Sequence, residues 1–185
     1  ELILIAAVLI GGYLDMNLIP AGKWILMIAI GLLANTYLFD LVSIVNNTSL
    51  AEYAKRDRAS RKLNLKQMLP GYALVSLIMG MLFNFETWPG GNTIILIGWG
   101  LGIVSIYLLY NKLASDRKFS RDVISRILIM GVVALFFYLL PPYYWFDKIY
   151  TNYPEYIQAR KNFDKDPKSD SLKIIMEQSY QSVKK

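Results

Sequence analysis

The fold is decided by a stretch that occurs twice, GGYLDMNLIPAGKWILMIAIGL at residues 11–32 and GMLFNFETWPGGNTIILIGWGL at residues 80–101. The two copies align without gaps at an offset of 69 residues and share seven identities in 22 positions. Only about two identities are expected between two unrelated apolar stretches of this length. Each copy places a Pro-containing turn between two apolar segments, so the sequence predicts a repeated membrane hairpin.

Long apolar blocks surround these turns, and 55% of the chain is hydrophobic. The blocks cover residues 2–14, 24–45, 68–83, 93–110 and 123–140. A transmembrane helix needs about 17–25 residues, and four of the blocks are credible spans. We predict an all-α polytopic membrane protein with five transmembrane helices, the first four forming two parallel repeated hairpins, and a short helical C-terminal tail.

The first block is shorter than a full span. In the second copy the helix before Pro89 is predicted to begin near Leu65, which corresponds to a position about four residues before Glu1. We therefore expect a few residues to be missing upstream of Glu1. A secretory signal peptide is the alternative, but the block has no basic n-region and no small-residue cleavage site.

Basic residues are concentrated between the hairpins. Eleven lie in the two connecting segments, whereas the hairpin turns hold only Lys23. The eleven are Lys55, Arg56, Arg58, Arg61, Lys62, Lys66, Lys112, Arg117, Lys118, Arg121 and Arg126. Because short cytoplasmic loops carry the excess of Lys and Arg, the N-terminus is predicted to be cytoplasmic and the tail periplasmic, in a bacterial inner membrane.

The predicted organisation follows from these blocks and charges. It comprises a first hairpin at 1–45, a basic cytoplasmic loop at 46–67, a second hairpin at 68–111, a basic loop at 112–122, a fifth helix at 123–142 and a periplasmic tail at 143–185.

Composition excludes several classes of function. The chain contains no Cys and no His, which removes thiol catalysis, disulfides, His-ligated haem and the usual zinc sites. No nucleophile–base set or paired carboxylates indicate an enzyme. We predict a non-enzymatic protein with no cofactor. The net charge of +6 is assigned to topology and to contact with lipid headgroups, and not to nucleic acid.

The turns are the first candidate sites. Pro20 and Gly22 mark the first turn, and Trp88, Pro89, Gly90 and Gly91 mark the second. Proline ends the preceding helix, glycine permits positive φ, and tryptophan favours the membrane interface. A tight re-entry turn explains these residues, and docking of a partner's periplasmic segment is the alternative.

Polar residues inside the apolar blocks are the second candidates, because ionisable groups at membrane depth are costly and often functional. Asp15 is predicted near the outer turn, where it reaches water. Asp40 lies deeper, with Asn35 one and a half turns before it. If the helix continues to Val45, Asp40 is partly buried and is a candidate to carry a proton or to pair with a basic residue of a partner. If the helix ends near Phe39, Asp40 meets headgroups. Gly98, Gly100 and Gly102, with Ser105, are predicted to form a smooth packing strip.

The tail is predicted to form two short amphipathic helices after Pro141-Pro142 and an interfacial aromatic cluster. Pro154 opens the first helix, and Ser169 or Asp170 caps the second. The candidate docking residues are Ile157, Phe163, Leu172, Ile175, Met176 and Tyr180. The pair is too small to fold alone, so it should dock on a partner or, alternatively, on its own membrane part.

The segment FNFETWPGGN at residues 83–92, followed by IILIG, resembles a known hairpin. It is similar to the WPG-turn membrane hairpin of gliding-motility L-type proteins of the type IX secretion motor, and of related small inner-membrane proteins. The resemblance covers about 30 residues and implies an inner-membrane envelope context. The family's Lys and His before the Trp are here Asn84 or Phe85 and Thr87, and its membrane-embedded Glu matches Asn35 and Val104, so ion conduction is not implied.

Together these features predict a scaffold or accessory subunit of a multiprotein inner-membrane complex. By resemblance, the complex is a proton-motive-force-linked energy-transduction or secretion machine. Its expected partners are other integral membrane subunits, a periplasmic segment of one of them, and lipid headgroups. The alternatives are an ion-conducting subunit that uses Asp40 and Asn35, and a small transporter. The parallel repeat and unbroken helices disfavour the transporter.

Overall fold

The computed structural model describes residues 2–45, 65–110 and 117–183, except for the side chains at 39–45, 65–67 and 117–119. These residues form eight helices and, within the ranges described, no strand. The helices are α1 (Leu2–Met16), α2 (Pro20–Val45), α3 (Leu65–Phe85), α4 (Gly91–Tyr110), α5 (Arg117–Leu139), α6 (Tyr144–Ile149), α7 (Pro154–Lys165) and α8 (Asp170–Val183). The predicted all-α class is confirmed for this part of the chain. The loop predicted at 46–67 and the start of the next one fall mainly outside it.

Four of the described helices are long and apolar enough to cross a membrane. Their apolar segments are Pro20–Leu38, Met68–Phe85, Gly91–Tyr110 and Ser120–Leu139. Helix α1 is equally apolar but has 15 residues, fewer than the 17–25 that a span requires. The protein therefore has the architecture of a helical membrane protein.

Several helix ends coincide with the predictions, and one differs. Helix α3 begins at Leu65, and α2 continues through Asp40 to Val45. Helix α5 begins at Arg117, six residues before the predicted start, and ends at Leu139, before the proline pair. Lys and Arg are good helix formers, so a helix can begin several residues before its apolar block. The apolar block marks only the part of the helix that faces hydrocarbon.

Helix α3 lies at the centre of the bundle. It packs against α2, α4 and α5, whereas α1 packs mainly on α2. Leu74 and Leu77 of α3 and Ile95 of α4 are fully buried there. The buried hydroxyl of Ser105 donates a hydrogen bond to the Leu101 carbonyl at 2.7 Å, which satisfies it within its own helix.

Glycine allows the paired helices of each hairpin to approach closely. A Cβ built on Gly11 would lie 2.6 Å from the backbone N of Leu26, and one on Gly80 would lie 2.8 Å from the backbone N of Ile95. These two contacts are related by the same offset of 69 residues that relates the two sequence copies. Small residues are the usual means of bringing membrane helices into contact.

The predicted glycine strip on α4 divides between two faces. Gly98 contacts Leu77, and Gly102 lies 3.1 Å, measured from a built Cβ, from the Ile127 side chain. Gly100 has no neighbour within 4 Å among the described residues. Residues 98, 102 and 105 share one helix face because of the 3.6-residue period, and residue 100 lies on the opposite side. The prediction that the three glycines form one strip is therefore wrong for Gly100.

Both hairpin turns use the same backbone conformation. Two residues after the first helix of each hairpin lies a residue at positive φ, Leu18 at 57° and Thr87 at 56°. The next amide bonds back five residues: Ile19 N donates to Leu14 O at 3.0 Å and Trp88 N donates to Phe83 O at 2.7 Å. This Schellman cap usually carries glycine at the left-handed position.

The tail has three helices where the sequence pattern predicted two. Helix α7 begins at Pro154, as predicted, and α8 begins at Asp170, with the Leu172 amide donating to Ser169 Oγ at 3.4 Å. The additional helix, α6, lies in the aromatic segment after the proline pair, for which the sequence predicts only an interfacial cluster. Its start is set by Tyr143, whose φ of 68° reverses the chain after the proline pair.

Candidate functional site

An ion pair joins the two hairpins at the end of the bundle that holds the turns, here called the turn end (residues 17–19 and 86–90 with the adjoining helix ends). Lys23, in the first turn of α2, donates from Nζ to Glu86 Oε2 at 2.5 Å. The Glu86 side chain is 5% exposed and that of Lys23 is 48% exposed. Glu86 Oε1 is buried, without a hydrogen-bond partner among the described residues. A buried carboxylate of one hairpin is thus held by a cation of the other.

The second hairpin has a neutral pair at the positions that correspond to Asp15 and Lys23. Asn84 Nδ2 donates to Asn92 Oδ1 at 2.7 Å, and it lies 3.5 Å from the carbonyl of Phe137 on α5. Asp15 and Lys23 occupy these positions in the first hairpin. The Asn84 side chain therefore closes its own hairpin and contacts α5, whereas Lys23 contacts the other hairpin.

The tail packs on this end of the bundle. The Trp145 ring of α6 lies 5.7 Å from the Phe85 ring and 5.7 Å from the Phe137 ring, measured between centroids. Helix α6 also contacts α1. A pocket of about 150 Å³ remains beside this contact, lined by polar Asn84 and Asn92 and by the Trp88 and Trp145 rings among others. The contact described between the tail and the bundle is thus made by α6.

Aromatic rings connect the three tail helices. Phe146 of α6 lies 4.7 Å from the Tyr150 ring and 5.5 Å from the Tyr156 ring, and Tyr156 of α7 lies 5.2 Å from Tyr180 of α8. Aromatic pairs at these distances contribute about 0.5–1.5 kcal/mol each beyond the area they bury. They supply the core that a pair of isolated amphipathic helices would lack.

One ion pair and one hydrogen bond attach α7 to α6 and its N-cap residue. Lys161 Nζ donates to Asp147 Oδ2 at 2.7 Å, and its ammonium lies 5.6 Å from the Tyr143 ring centroid. Tyr143 Oη donates to Asp164 Oδ2 at 3.0 Å, an oxygen that also accepts from Arg160 Nε at 3.2 Å. Side chains from both helices thus hold the tail in one arrangement.

The tail tyrosines are held in the neutral form. Burial raises the pKa of Tyr150 well above its usual range, and nearby Tyr156, Tyr180, Asp15 and Glu86 add to the shift. Burial is also the main cause of the raised pKa of Tyr143. A phenolate would be poorly solvated and would face carboxylates, so the folded tail favours the protonated phenols.

The predicted tail-docking residues have different environments. Tyr180 stacks on Tyr156, and Met176 Sδ lies 4.0 Å from Arg160 Nη1, so both face α7. Residues intermediate in exposure are Ile157, Phe163 and Leu172. Ile175 is 51% exposed, and its neighbour Ile174, which sequence reasoning missed, is 54% exposed.

The predicted turn residues also divide into two groups. Gly22 and Gly91 are buried where each hairpin closes, against residues 15 and 84 respectively. Exposed at the turn end are Pro20, Pro89 and Gly90, and the φ of Gly90 is 89°. The Trp88 ring packs edge-on against Phe83 at 5.1 Å. Gly22 and Gly91 therefore allow the helices to pack closely, whereas Pro20, Pro89 and Gly90 form the exposed surface of the turns.

The described residues show no site formed by the predicted intramembrane polar residues, Asn35 and Asp40. Asn35 is exposed, and its Nδ2 donates to the Gly31 carbonyl at 3.0 Å, within its own helix. Asp40 lies within α2, but its side chain is outside the described residues. The described ranges contain no group of three or more Asp, Glu, His or Cys residues that could hold a metal ion.

No family model, characterised protein or solved structure matches this chain. The arguments about its function therefore depend on its own residues and geometry.

Proposed function

We propose that this protein is a non-enzymatic integral subunit of a multiprotein complex in a bacterial inner membrane. In this role its hairpins and fifth helix pack beside larger membrane partners, and its tail presents a docking surface at the turn end. The observation that carries the proposal is the pair of exposed isoleucines, Ile174 and Ile175, on a tail helix outside the long apolar segments.

The tail is suited to this role because its own contacts hold it in place. Trp145 anchors α6 on Phe85 of the second hairpin and on Phe137 of α5, and Tyr156 and Tyr180 join α7 to α8. A surface ordered in advance loses little entropy when a partner binds. Ile174 and Ile175 can therefore contact a partner with little loss of conformational entropy.

The proposal includes a topology of five spans in two parallel repeated hairpins, with the N-terminus cytoplasmic and the tail periplasmic. It is supported by equivalent contacts 69 residues apart, those of Gly11 and Gly80 with the paired helix. The distribution of basic residues favours the orientation. The outward faces of α1 and α4 are apolar, as contact with lipid or membrane partners requires.

The link to an energy-transduction or secretion machine driven by proton-motive force is the most specific part of the proposal. It rests on the resemblance of residues 83–92 to the motor hairpin. No proton-carrying role is assigned to this chain, and its part in the complex is structural.

The test is affinity purification of the tagged full chain from its native membranes in a mild detergent, with mass spectrometry of the chains that accompany it. We expect a defined partner set for the wild type and its loss in the double variant Ile174→Ser/Ile175→Ser. The matched control is Lys173→Ser/Glu177→Ser, which changes two exposed polar residues of the same helix.

Two outcomes would contradict the proposal. One is recovery of the wild-type chain alone as a monodisperse species. The other is an unchanged partner set in the isoleucine variant, which would remove the tail from the docking role. Both variants change exposed side chains, so their circular dichroism and thermal unfolding should match those of the wild type.

A further inference from the structure

Helix α2 has an outward face that no described helix covers. On this face Trp24 is 69% exposed and Ile28 is 60% exposed, and Gly31 and the exposed Asn35 follow. A Cβ built on Gly31 has no neighbour within 4 Å among the described residues. None of these four residues lines the apolar groove of about 710 Å³ that lies between α1, α2, α3 and α5. The face is therefore separate from the packed interior of the bundle.

The spacing of these residues is that of a helix that packs against another helix. Trp24, Ile28, Gly31 and Asn35, here called the outer seam, follow one another at intervals of four, three and four positions. These intervals are those of the a and d positions of a coiled coil, with Ile28 and Asn35 at a. Membrane helices commonly cross with the same left-handed geometry.

Asn35 places a polar group deep in the membrane. It lies within the apolar segment Pro20–Leu38, eleven residues or about 16 Å from Trp24. Because α2 continues to Val45, it is also ten residues or about 15 Å from the end of the helix. Exposed tryptophan is typical of the interface, and one leaflet of hydrocarbon is about 15 Å deep. An amide that faces lipid at this depth is energetically costly.

The hydrogen-bonding capacity of this amide is only partly used. Asn35 Nδ2 donates to the Gly31 carbonyl at 3.0 Å, which uses one of its two hydrogens. The second Nδ2 hydrogen and Oδ1 have no partner among the described residues. An amide with one free donor and one free acceptor is complementary to a second amide in the same state.

We propose that the outer seam is the interface of a parallel homodimer of this chain. Two copies of α2 pack across a twofold axis along the membrane normal, and their Asn35 amides exchange hydrogen bonds. A twofold axis brings each residue near its own counterpart, so both amides lie at the same depth. A single asparagine at an a position specifies register and oligomeric state in coiled coils. Gly31, one turn away, allows the two backbones to approach.

A second copy supplies the required polar group without a further condition. A helix of another protein must carry a polar residue at the same depth, and the uncharged outer seam selects no such helix by charge. The second hairpin has the same seam on α4, where Ile97 and Gly100 match Ile28 and Gly31. However, Val104 replaces Asn35 there. The seam of α4 therefore lacks the group that specifies self-association.

The inference requires that α2 crosses a membrane, but it does not rest on the proposed partner complex. Cysteine cross-linking of the full chain in its native membranes tests it, since the wild type contains no Cys. Oxidation of Ile28→Cys should give a covalent homodimer, because a disulfide requires Cα atoms within about 7 Å. The matched control is Ile97→Cys, the exposed equivalent position on α4, which should remain monomeric.

A second pair of variants tests the amide. Asn35→Val gives α2 the residue that α4 carries at the equivalent position. The dissociation constant of the dimer should rise about tenfold, which is the contribution of an interhelical amide in model peptides. Energy transfer between fluorescently tagged copies in lipid vesicles measures it. Thr36→Val is the control, since its hydroxyl donates to the Leu32 carbonyl at 2.9 Å within its own helix. It should leave the constant unchanged.

Four results would overturn the proposal. Two are the absence of a homodimer from Ile28→Cys and equal yields from Ile28→Cys and Ile97→Cys. The third is a cross-link from Ile28→Cys to a different chain, identified by mass spectrometry, since another protein would then cover the outer seam. The fourth is an unchanged dissociation constant for Asn35→Val with wild-type helicity and thermal unfolding. Failure of the partner proposal appears separately, as a wild-type dimer that purifies without other chains.

Discussion

The two hairpins have the same backbone construction and different neighbours. Each closes its turn with a left-handed residue, Leu18 or Thr87, and each brings its helices together at a glycine, Gly11 or Gly80. However, α3 of the second hairpin is surrounded by α2, α4 and α5, whereas α1 of the first lies at the edge of the bundle. Similar local sequence thus produces similar local structure in environments that differ in packing.

Differences between the copies are most informative at the polar positions of the turns. Asn84 and Asn92 pair within the second hairpin, whereas Lys23, at the position of Asn92, pairs with Glu86 of the other hairpin. Glu86 occupies the position of Asn17, which donates to the backbone of its own helix. The polar side chains at these positions thus close one hairpin on itself and join it to the other.

The largest expected effect on the free energy of unfolding comes from replacing the glycines at which the helices of each hairpin meet. Gly80→Ala places a Cβ 2.6 Å from Ile95 Cγ1 and 2.8 Å from Ile95 N, in a helix fixed by three neighbours. We expect a loss of about 3 kcal/mol in the free energy of unfolding, at the upper end of overpacking effects. Gly11→Ala should cost about 1 kcal/mol, because α1 can tilt away at the edge.

Thermal unfolding in detergent, followed by circular dichroism, measures both variants. Gly100→Ala is the control, since its Cβ has no described neighbour within 4 Å. A cost for Gly11→Ala equal to that for Gly80→Ala would show that the edge and central helices are equally constrained, contrary to the comparison.

The ion pair between the hairpins should have the next largest effect. Lys23→Gln leaves the buried Glu86 carboxylate without its cation, and we expect a loss of about 1–2 kcal/mol, reduced by the exposure of Lys23. Lys23→Gln/Glu86→Gln should cost less than the sum of the single variants. Chemical denaturation of all four proteins gives the coupling, and strictly additive costs would exclude the interaction.

Alkaline pH should loosen the tail from both hairpins. The pKa values of Tyr143, Tyr150 and Tyr156 are raised in the folded protein, so their neutral forms stabilise it fully below the unfolded value near 10. This stabilisation is lost as the pH rises above 10 through the folded values. Tail amides should exchange faster above pH 10 than at pH 9, after correction for intrinsic exchange.

The variant Tyr150→Phe reduces this dependence, because it removes a phenol whose pKa is raised mainly by burial and further by its neighbours, which include Asp15 of one hairpin and Glu86 of the other. Tyr110→Phe changes an exposed tyrosine and serves as control. If Tyr150→Phe leaves the pH dependence of tail exchange unchanged, the buried phenol is not its source.

The smallest effects should come from the turns, and there the two hairpins should behave alike. A non-glycine residue at positive φ costs about 1 kcal/mol, so Leu18→Gly and Thr87→Gly should each stabilise the protein by about 0.5–1 kcal/mol. Thermal unfolding of both variants tests the shared cap. A gain in one hairpin and a loss in the other would mean that the side chains at these positions contribute more than the backbone.

Sequence reasoning succeeded where the information was local. The helix starts at Leu65 and Pro154 follow from apolar patterns and proline, which act over one or two helical turns. For the last helix the sequence offered Ser169 or Asp170 as the cap, and the structure has Ser169. It missed the positive φ of Leu18 and Thr87, because glycine is the usual residue there. Their equivalent positions in the two copies offered the only signal in the sequence.

Residues of the turn end could be located by sequence, but their partners could not. Lys23 and Glu86 lie 63 residues apart, and no local pattern indicates that they meet. The same holds for Trp145, whose aromatic character predicted an interface, whereas its contacts with Phe85 and Phe137 depend on how the tail folds back.

By itself, the sequence determined that the chain is helical, where its long apolar segments lie and where its turns fall, because backbone hydrogen bonds within a helix and the length of an apolar run are local quantities. The tertiary structure alone decided which helix is central, which glycines are contacts, where the tail packs and where an apolar groove remains. Apolar helix faces are nearly equivalent in hydrophobicity, so the choice among neighbours depends on close packing and on a few polar pairs.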